Sequence, residues 1–184
     1  LMYVGGLTES RGIMRMLRVT KHLRDNNFDV GLWLIGSFRT NKKDETERRA
    51  NRYIKHHNLT DHVRLFGRIP HEKVFDYLQV GDIGLSLLES GLCEYCLPTK
   101  IIEYMYVGMP VVSTRTKTTE RYVSQESGLL VSEHPNKIAE SIAELLLEGD
   151  LKAKGNAGRE RVLSDYNWES EEKQLKQLYS KLLR

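Results

Sequence analysis

Disulfide bonding is the first source of stability this chain of 184 residues lacks: it holds two cysteines, Cys93 and Cys96. No second C-x-x-C completes a zinc site, so the pair reads as two reduced thiols in a loop. Long apolar runs are also missing. Gly31–Gly36 (GLWLIG) falls far short of the roughly 20 residues a membrane-spanning helix needs. No signal peptide is evident at the start. Charge of one sign is scarce, because 28 Lys and Arg stand against 25 Asp and Glu, a net charge of +3. That excess is too small to argue for nucleic acid as a partner. There is no internal repeat, low-complexity tract or Pro/Gly/Ser-rich linker.

Three motifs are absent as well. No Asp-x-Asp occurs, so a metal-dependent diphosphate site has no obvious ligands. Gly5–Gly12 (GGLTESRG) is neither G-x-G-x-x-G nor a Walker A loop; what remains is a glycine turn with Arg11 entering the first helix. No acidic residue closes the second strand, which ends Gly36-Ser37-Phe38. A standard NAD site and a P-loop are thereby disfavoured.

What is there is ordinary globular composition, 40% hydrophobic and 29% charged, long enough for one good core. Apolar or β-branched runs at Met2–Val4, Val30–Ile35, Val63–Phe66, Ile83–Leu87, Pro110–Ser113 and Gly128–Val131 predict strands. Between them, residues such as Leu17, Val19, Thr20 and Leu23, or Ile138, Ile142 and Leu145, repeat at helical period. Strands separated by helices pair in parallel through crossovers. The expectation is an α/β doubly wound, Rossmann-like open sheet forming one domain over residues 1–184. From about Asp150 onward only helices are expected. Lys42–Arg52 mixes charge signs and reads as a solvated helix face. The first residues, Leu1-Met2-Tyr3-Val4-Gly5, run straight into a strand, which suggests a fragment.

Glycines mark the strand ends. Ligands of open parallel sheets sit outside the carboxyl ends of the strands. Gly5-Gly6, Gly36-Ser37 and Gly67-Arg68 should therefore line one rim. In Leu97–Pro110 (LPTKIIEYMYVGMP), Pro98 suits a first helical turn, and Gly108 with Pro110 ends the helix. Thr99 and Lys100 then share the first turn, where an anion is favoured. Glu103 lies on their face, roughly 4–6 Å further along the axis. Two readings fit: phosphate at the helix end with a ribose diol on the carboxylate, or a plain Lys100–Glu103 surface pair. His71 is read as capping or decorating a surface helix, and His22, His56, His57, His62 and His134 show no metal-ligand spacing.

Tyr3-Val4-Gly5-Gly6…Arg11-Gly12, Val63–Pro70 (VRLFGRIP), Pro98-Thr99-Lys100…Glu103…Gly108-Met109-Pro110-Val111-Val112 and Tyr166-Asn167-Trp168-Glu169 together resemble the C-terminal half of a glycosyltransferase family 4 enzyme. That half is the nucleotide-sugar-binding domain of a GT-B fold. The resemblance implies a retaining glycosyltransferase of hexosyltransferase type in polysaccharide biosynthesis. It would move a sugar from an NDP-sugar to a glycan or lipid-linked acceptor, without a metal cofactor. Arg11 and Lys100 would stabilise the departing diphosphate. Gly5, Gly6, Gly36, Gly67, Arg68, Ile69, Thr99 and Glu103 would bind the nucleotide, with Glu103 on the ribose hydroxyls. The family's first motif glutamate falls on Tyr95, next to Glu94, and both are placed in the donor site. The N-terminal acceptor domain would be a missing partner. The chain alone would then bind donor and transfer no sugar. The resemblance also implies a cytoplasmic protein, with peripheral membrane association open through the missing half. A nucleotide-sugar 2-epimerase half and a non-catalytic nucleotide-binding domain remain as alternatives.

Overall fold

The structure, a computed structural model, describes residues 1–38, 45–89, 95–96 and 98–183. Strands β1 (Met2–Val4), β2 (Leu32–Ile35), β3 (Val63–Gly67), β4 (Gly84–Ser86), β5 (Val111–Thr114) and β6 (Gly128–Val131) form one sheet in the order β3-β2-β1-β4-β5-β6. Every paired strand is parallel. The expected doubly wound α/β fold is therefore present. The expected strand runs fall on observed strands: β1 and β6 match to the residue, β2 and β4 are shorter by two, β3 is longer by one, and β5 is shifted by one.

The strands are short and mostly aliphatic because both faces of the sheet are covered. On one face lie α1 (Ile13–Asp25), α2 (Glu45–His56) and α6 (Pro135–Glu148). Their buried residues Leu17, Leu23, Ala50, Ile54, Ile138 and Ile142 pack with Tyr3, Leu32, Leu34 and Leu85. The other face carries α3 (Val74–Leu78), α4 (Lys100–Tyr106), α5 (Thr119–Tyr122) and α7 (Leu151–Asp165). There Leu78, Ile101, Tyr104, Met105 and Val162 pack with Met2, Ile35 and Val111. Helix α6 shows its sequence signals directly, with Pro135 in its first turn and Gly149 left-handed at its end.

The last helix, α8 (Trp168–Leu182), leaves Trp168, Leu175, Leu178, Tyr179 and Leu182 exposed. These positions share one stripe at helical spacing. No helix is long and apolar enough to cross a membrane among the described residues.

Candidate functional site

In the order β3-β2-β1-β4-β5-β6, the connections run one way from β1 and the other way from β4. The crevice between the carboxyl ends of β1 and β4 is the topological switch point, where such sheets take ligands. It is tightly knitted here. Glu89 N–H, after β4, donates to Ser10 O, after β1, at 3.0 Å. Arg15 on α1 donates to Leu87 O and Leu88 O at 2.8 Å each, and pairs with Glu133 at 2.8 Å. At Gly12 a Cβ would stand 1.9 Å from Leu87 O, so only glycine lets these two loops meet.

The expected glycine rim is assembled. Gly5 N–H donates to Ile35 O at 2.9 Å, Leu7 N–H to Ser37 O at 3.0 Å, and Gly36 N–H to Gly67 O at 2.8 Å. Gly36 has a φ of 142°, and a Cβ there would lie 1.9 Å from Gly5 O. Side-chain-free backbone thus lines the ends of β1, β2 and β3, packed backbone to backbone at Gly36 and open at Gly67, where nothing lies within 4 Å of a Cβ. Arg68 is exposed and Ile69 half-buried just beyond the rim.

Beside Gly5 and Gly6, two cations meet around one aromatic ring. Tyr3 is 1% exposed, and its hydroxyl donates to Gly6 O at 2.9 Å. Lys100 Nζ sits 5.4 Å from the centre of the Tyr3 ring. The exposed Arg11 guanidinium stands beside the Tyr3 oxygen, the two lying 3.3 Å and 3.0 Å from where a Cβ at Gly5 would be. Burial pushes the Tyr3 phenol pKa up, and Arg11 opposes that shift. Arg11 does not enter α1 as expected from sequence. It ends a short 3-10 turn, Glu9–Arg11, and the left-handed Gly12 separates that turn from α1. This break turns Arg11 back toward β1 instead of along the helix.

Helix α4 contributes from the other wall. Lys100 is buried, 8% exposed, so it is not part of the surface pair that spacing alone allows. Glu103 is half-buried one turn along from Thr99, and its N–H donates to Thr99 O at 3.2 Å. Thr99 is exposed at the helix start and caps nothing with its side chain. The helix spans 7 residues, so its dipole is small and the positive character of this wall comes from Lys100. Tyr104 anchors α4 to the sheet. Its hydroxyl accepts from Val4 N–H at 3.0 Å and donates to Leu85 O at 3.3 Å. Burial drives its pKa well above the ordinary value. Gly84 makes room, since a Cβ there would overlap the Tyr104 ring at 2.3 Å.

Beyond β4 and β5 lies a group of hydroxyls that the sequence does not announce. Thr114 Oγ1 donates to Leu88 O at 3.0 Å, Thr119 Oγ1 donates to Thr114 O at 2.9 Å, and Thr116 N–H donates to Thr119 Oγ1 at 2.8 Å. Tyr95 is 77% exposed, and Lys117 Nζ donates to its hydroxyl at 3.2 Å. Glu94 and Cys93 lie outside the described residues, and Cys96 is an exposed thiol. Among the described residues no group of three or more His, Cys, Asp or Glu is placed to hold a metal ion. Sequence reasoning missed Arg15, Glu133 and the hydroxyl group. Tyr3 was quoted only as part of a motif; its place before Gly5-Gly6 was the available signal.

This fold and site have counterparts. The chain belongs to the Glycosyl transferases group 1 family, whose model matches residues 1–148. No curated protein sequence matches. Among solved structures, HepE from Anabaena, crystallised with UDP, superposes with a TM-score of 0.87 at 13% identity. That match covers 98% of this chain and 48% of HepE, so this chain spans about half its length. Sucrose-phosphate synthase from Thermosynechococcus elongatus matches at 26% identity and a TM-score of 0.78, over 99% of this chain and 45% of that enzyme. The C-terminal domain of a group 1 glycosyl transferase, LpcC from Francisella tularensis, matches at 17% identity and a TM-score of 0.77. That match covers 91% of this chain and 86% of that domain.

Proposed function

We propose that this chain is the donor-binding half of a retaining glycosyltransferase of family 4, which takes a hexose from a nucleoside diphosphate sugar. The observation that carries this reading is the meeting of Arg11 and Lys100 around Tyr3, at the switch point and beside the Gly5–Gly6 turn. Two cations beside open backbone suit a diphosphate. The Gly36–Gly67 backbone suits a base that lies flat, with Arg68 and Ile69 at its edge. Glu103 suits the ribose, because one carboxylate can accept from both diol hydroxyls. Thr99 is assigned to the donor side of the same crevice, and the family resemblance assigns Tyr95 and Glu94 to the donor as well. HepE, crystallised with UDP and with UDP-glucose, supports UDP as the first nucleotide to try.

The chemistry these residues would perform is leaving-group stabilisation. As the bond from the anomeric carbon to the diphosphate oxygen breaks, negative charge grows on the diphosphate. Fixed positive groups then bind the transition state more tightly than the ground state. Arg11 and Lys100 supply that charge, and the reading calls for no metal cofactor. The acceptor, a glycan or lipid-linked sugar, would be held by a second domain, and the chain alone transfers no sugar. The uncovered apolar stripe of α8 and the greater length of HepE support a further domain. A cytoplasmic location, with membrane association through that domain, follows from the same reading.

The test is calorimetry with UDP, GDP, ADP and the matching nucleosides. One diphosphate should bind, with a dissociation constant between about 10 μM and 1 mM. Arg11→Ala should weaken the diphosphate much more than its nucleoside, and added salt should weaken the diphosphate too. Equal losses for both would assign Arg11 to packing and remove the diphosphate from this corner.

A further inference from the structure

Phenylalanine would fill the Tyr3 position in the core as well as tyrosine does. The hydroxyl therefore needs its own account, and the structure supplies one. Its single proton is committed to Gly6 O at 2.9 Å, so toward Arg11 the oxygen can only accept. A Cβ added at Gly5 would lie 3.0 Å from Tyr3 Oη and 3.3 Å from Arg11 Nη1, so turn, phenol and guanidinium meet at one point. The ring face carries the second cation, with Lys100 Nζ 5.4 Å from its centre, inside the range of a cation–π contact.

We propose that Tyr3 is a positioning residue of the donor site: one buried phenol holds the Gly5–Gly6 turn, Arg11 and Lys100 in a single constellation facing one diphosphate. The assignment rests on the donor reading given above. Two like charges repel at short range, and the repulsion grows where water is excluded. Tyr3 offers each cation an electron-rich surface, oxygen lone pairs to one and the ring face to the other. A neutral phenol does this without cancelling either charge. A carboxylate in the same place would hold the cations equally well and neutralise what the diphosphate requires. Burial raises the phenol pKa, which keeps the group neutral.

Tyr3→Phe keeps the ring and the Lys100 contact and removes only the oxygen. Tyr3→Leu removes both. Calorimetry with UDP and with uridine, each at several salt concentrations, separates the possibilities. Tyr3→Phe should lose UDP affinity about fivefold to tenfold, the worth of one hydrogen bond. Its uridine affinity should stay close to wild type, its melting temperature should fall by only a few degrees for the lost bond to Gly6 O, and its UDP affinity should respond less to salt. Tyr3→Leu should lose more UDP affinity. In the ligand-free protein, the Arg11 Nε–Hε resonance should shift and exchange faster in Tyr3→Phe. Wild-type binding with unchanged UDP affinity in Tyr3→Phe overturns the assignment, as does an unmoved Arg11 resonance. Parallel loss of UDP and uridine overturns it too, because that is a packing effect. Failure of the wild-type chain to bind any of UDP, GDP or ADP overturns the donor reading itself, and this assignment with it.

Discussion

The two halves of the sheet end their strands in different chemistry. β1, β2 and β3 run out into Gly5, Gly36 and Gly67, and all three have positive φ. β4 and β5 run out into hydroxyls: Ser86, Ser113 and Thr114, followed by Thr116 and Thr119, all buried. The glycine half presents backbone where a ligand can lie close. The hydroxyl half turns its polar groups inward: Ser113, Thr114 and Thr119 donate to carbonyls of their own loops, while Ser86 Oγ is buried without a hydrogen-bond partner among the described residues. One half is open to a partner and the other holds the opposite wall still. The cations stand where the halves join, Arg11 arriving from the first and Lys100 from the second. A site built this way needs both properties at once, access on one side and rigidity on the other.

The largest effect that would break this contrast is expected at Gly36. A Cβ there meets backbone at 1.9 Å with a φ of 142°, and no side chain can rotate to relieve it. Gly36→Ala should cost about 3 kcal/mol or more by denaturant unfolding. Gly67 has a φ of 69° and nothing within 4 Å of a Cβ. Gly67→Ala should cost only about 1–2 kcal/mol. Similar costs at the two positions would mean that the rim yields, and that the packing of Gly36 on Gly5 is not what shapes it.

Next comes Glu103. If it receives ribose hydroxyls, Glu103→Ala should weaken nucleoside diphosphate binding by about 1.5–3 kcal/mol, as for hydrogen bonds to a charged group. Unchanged affinity in a folded variant removes Glu103 from the site.

On the hydroxyl side, Thr119→Val preserves shape and leaves Thr116 N–H without its 2.8 Å acceptor. The expected loss of stability is about 1–2 kcal/mol, with little change in ligand affinity. A variant that keeps its stability and loses affinity would place the hydroxyls in the binding site and erase the division of labour.

The smallest effect appears only in alkali. Tyr104 is buried, so its folded pKa lies well above the ordinary 10.0, with the Val4 N–H contact opposing the shift. The native state therefore keeps this proton where the unfolded chain has lost it. Its contribution to stability is fully present below pH 10 and is lost as pH rises through the folded pKa. Tyr104→Phe should be less stable at neutral pH, because Val4 N–H loses its acceptor, but its stability should fall less steeply above pH 10. Parallel curves for the two proteins would show that the phenol is not the group responsible.

The fold was largely legible because its signals are local. Pro98 before and Gly108 after a helical period bracket α4, and a glycine stands at the end of each of the first three strands, Gly5 and Gly36 just after β1 and β2 and Gly67 closing β3. These features act within a few residues, so a linear reading captures them. Other features depend on partners brought together by the sheet. In Met2-Tyr3-Val4, strand alternation assigns Tyr3 to the core but does not reveal that its hydroxyl reaches Gly6 O and meets Arg11. Arg11 was expected inside the first helix because helical period begins nearby. The left-handed Gly12 breaks the chain there, and its necessity arises from Leu87, distant in sequence. Lys100 and Glu103 permit a surface pair by spacing alone, and the burial of Lys100 excludes it only once β1 lies beneath α4. The threonines at the end of β5 and beyond it share no motif: Thr114 reaches Leu88 O, which only the sheet brings near, while Thr116 and Thr119 bond to one another and Thr119 to Thr114 O.

The most direct test of the donor reading is where a nucleotide lands. Titrating the 15N-labelled chain with UDP and following backbone amide shifts answers this by position. The account predicts shifts centred on Gly5, Gly6, Arg11, Gly36, Gly67, Lys100 and Glu103. A rival location exists on the α1–α2–α6 side, a groove of about 410 Å³ lined by Arg18, Lys21, His22, Asp25, Tyr53, Pro135 and Asn136. Shifts confined to that groove, with the glycine rim silent, would contradict the account.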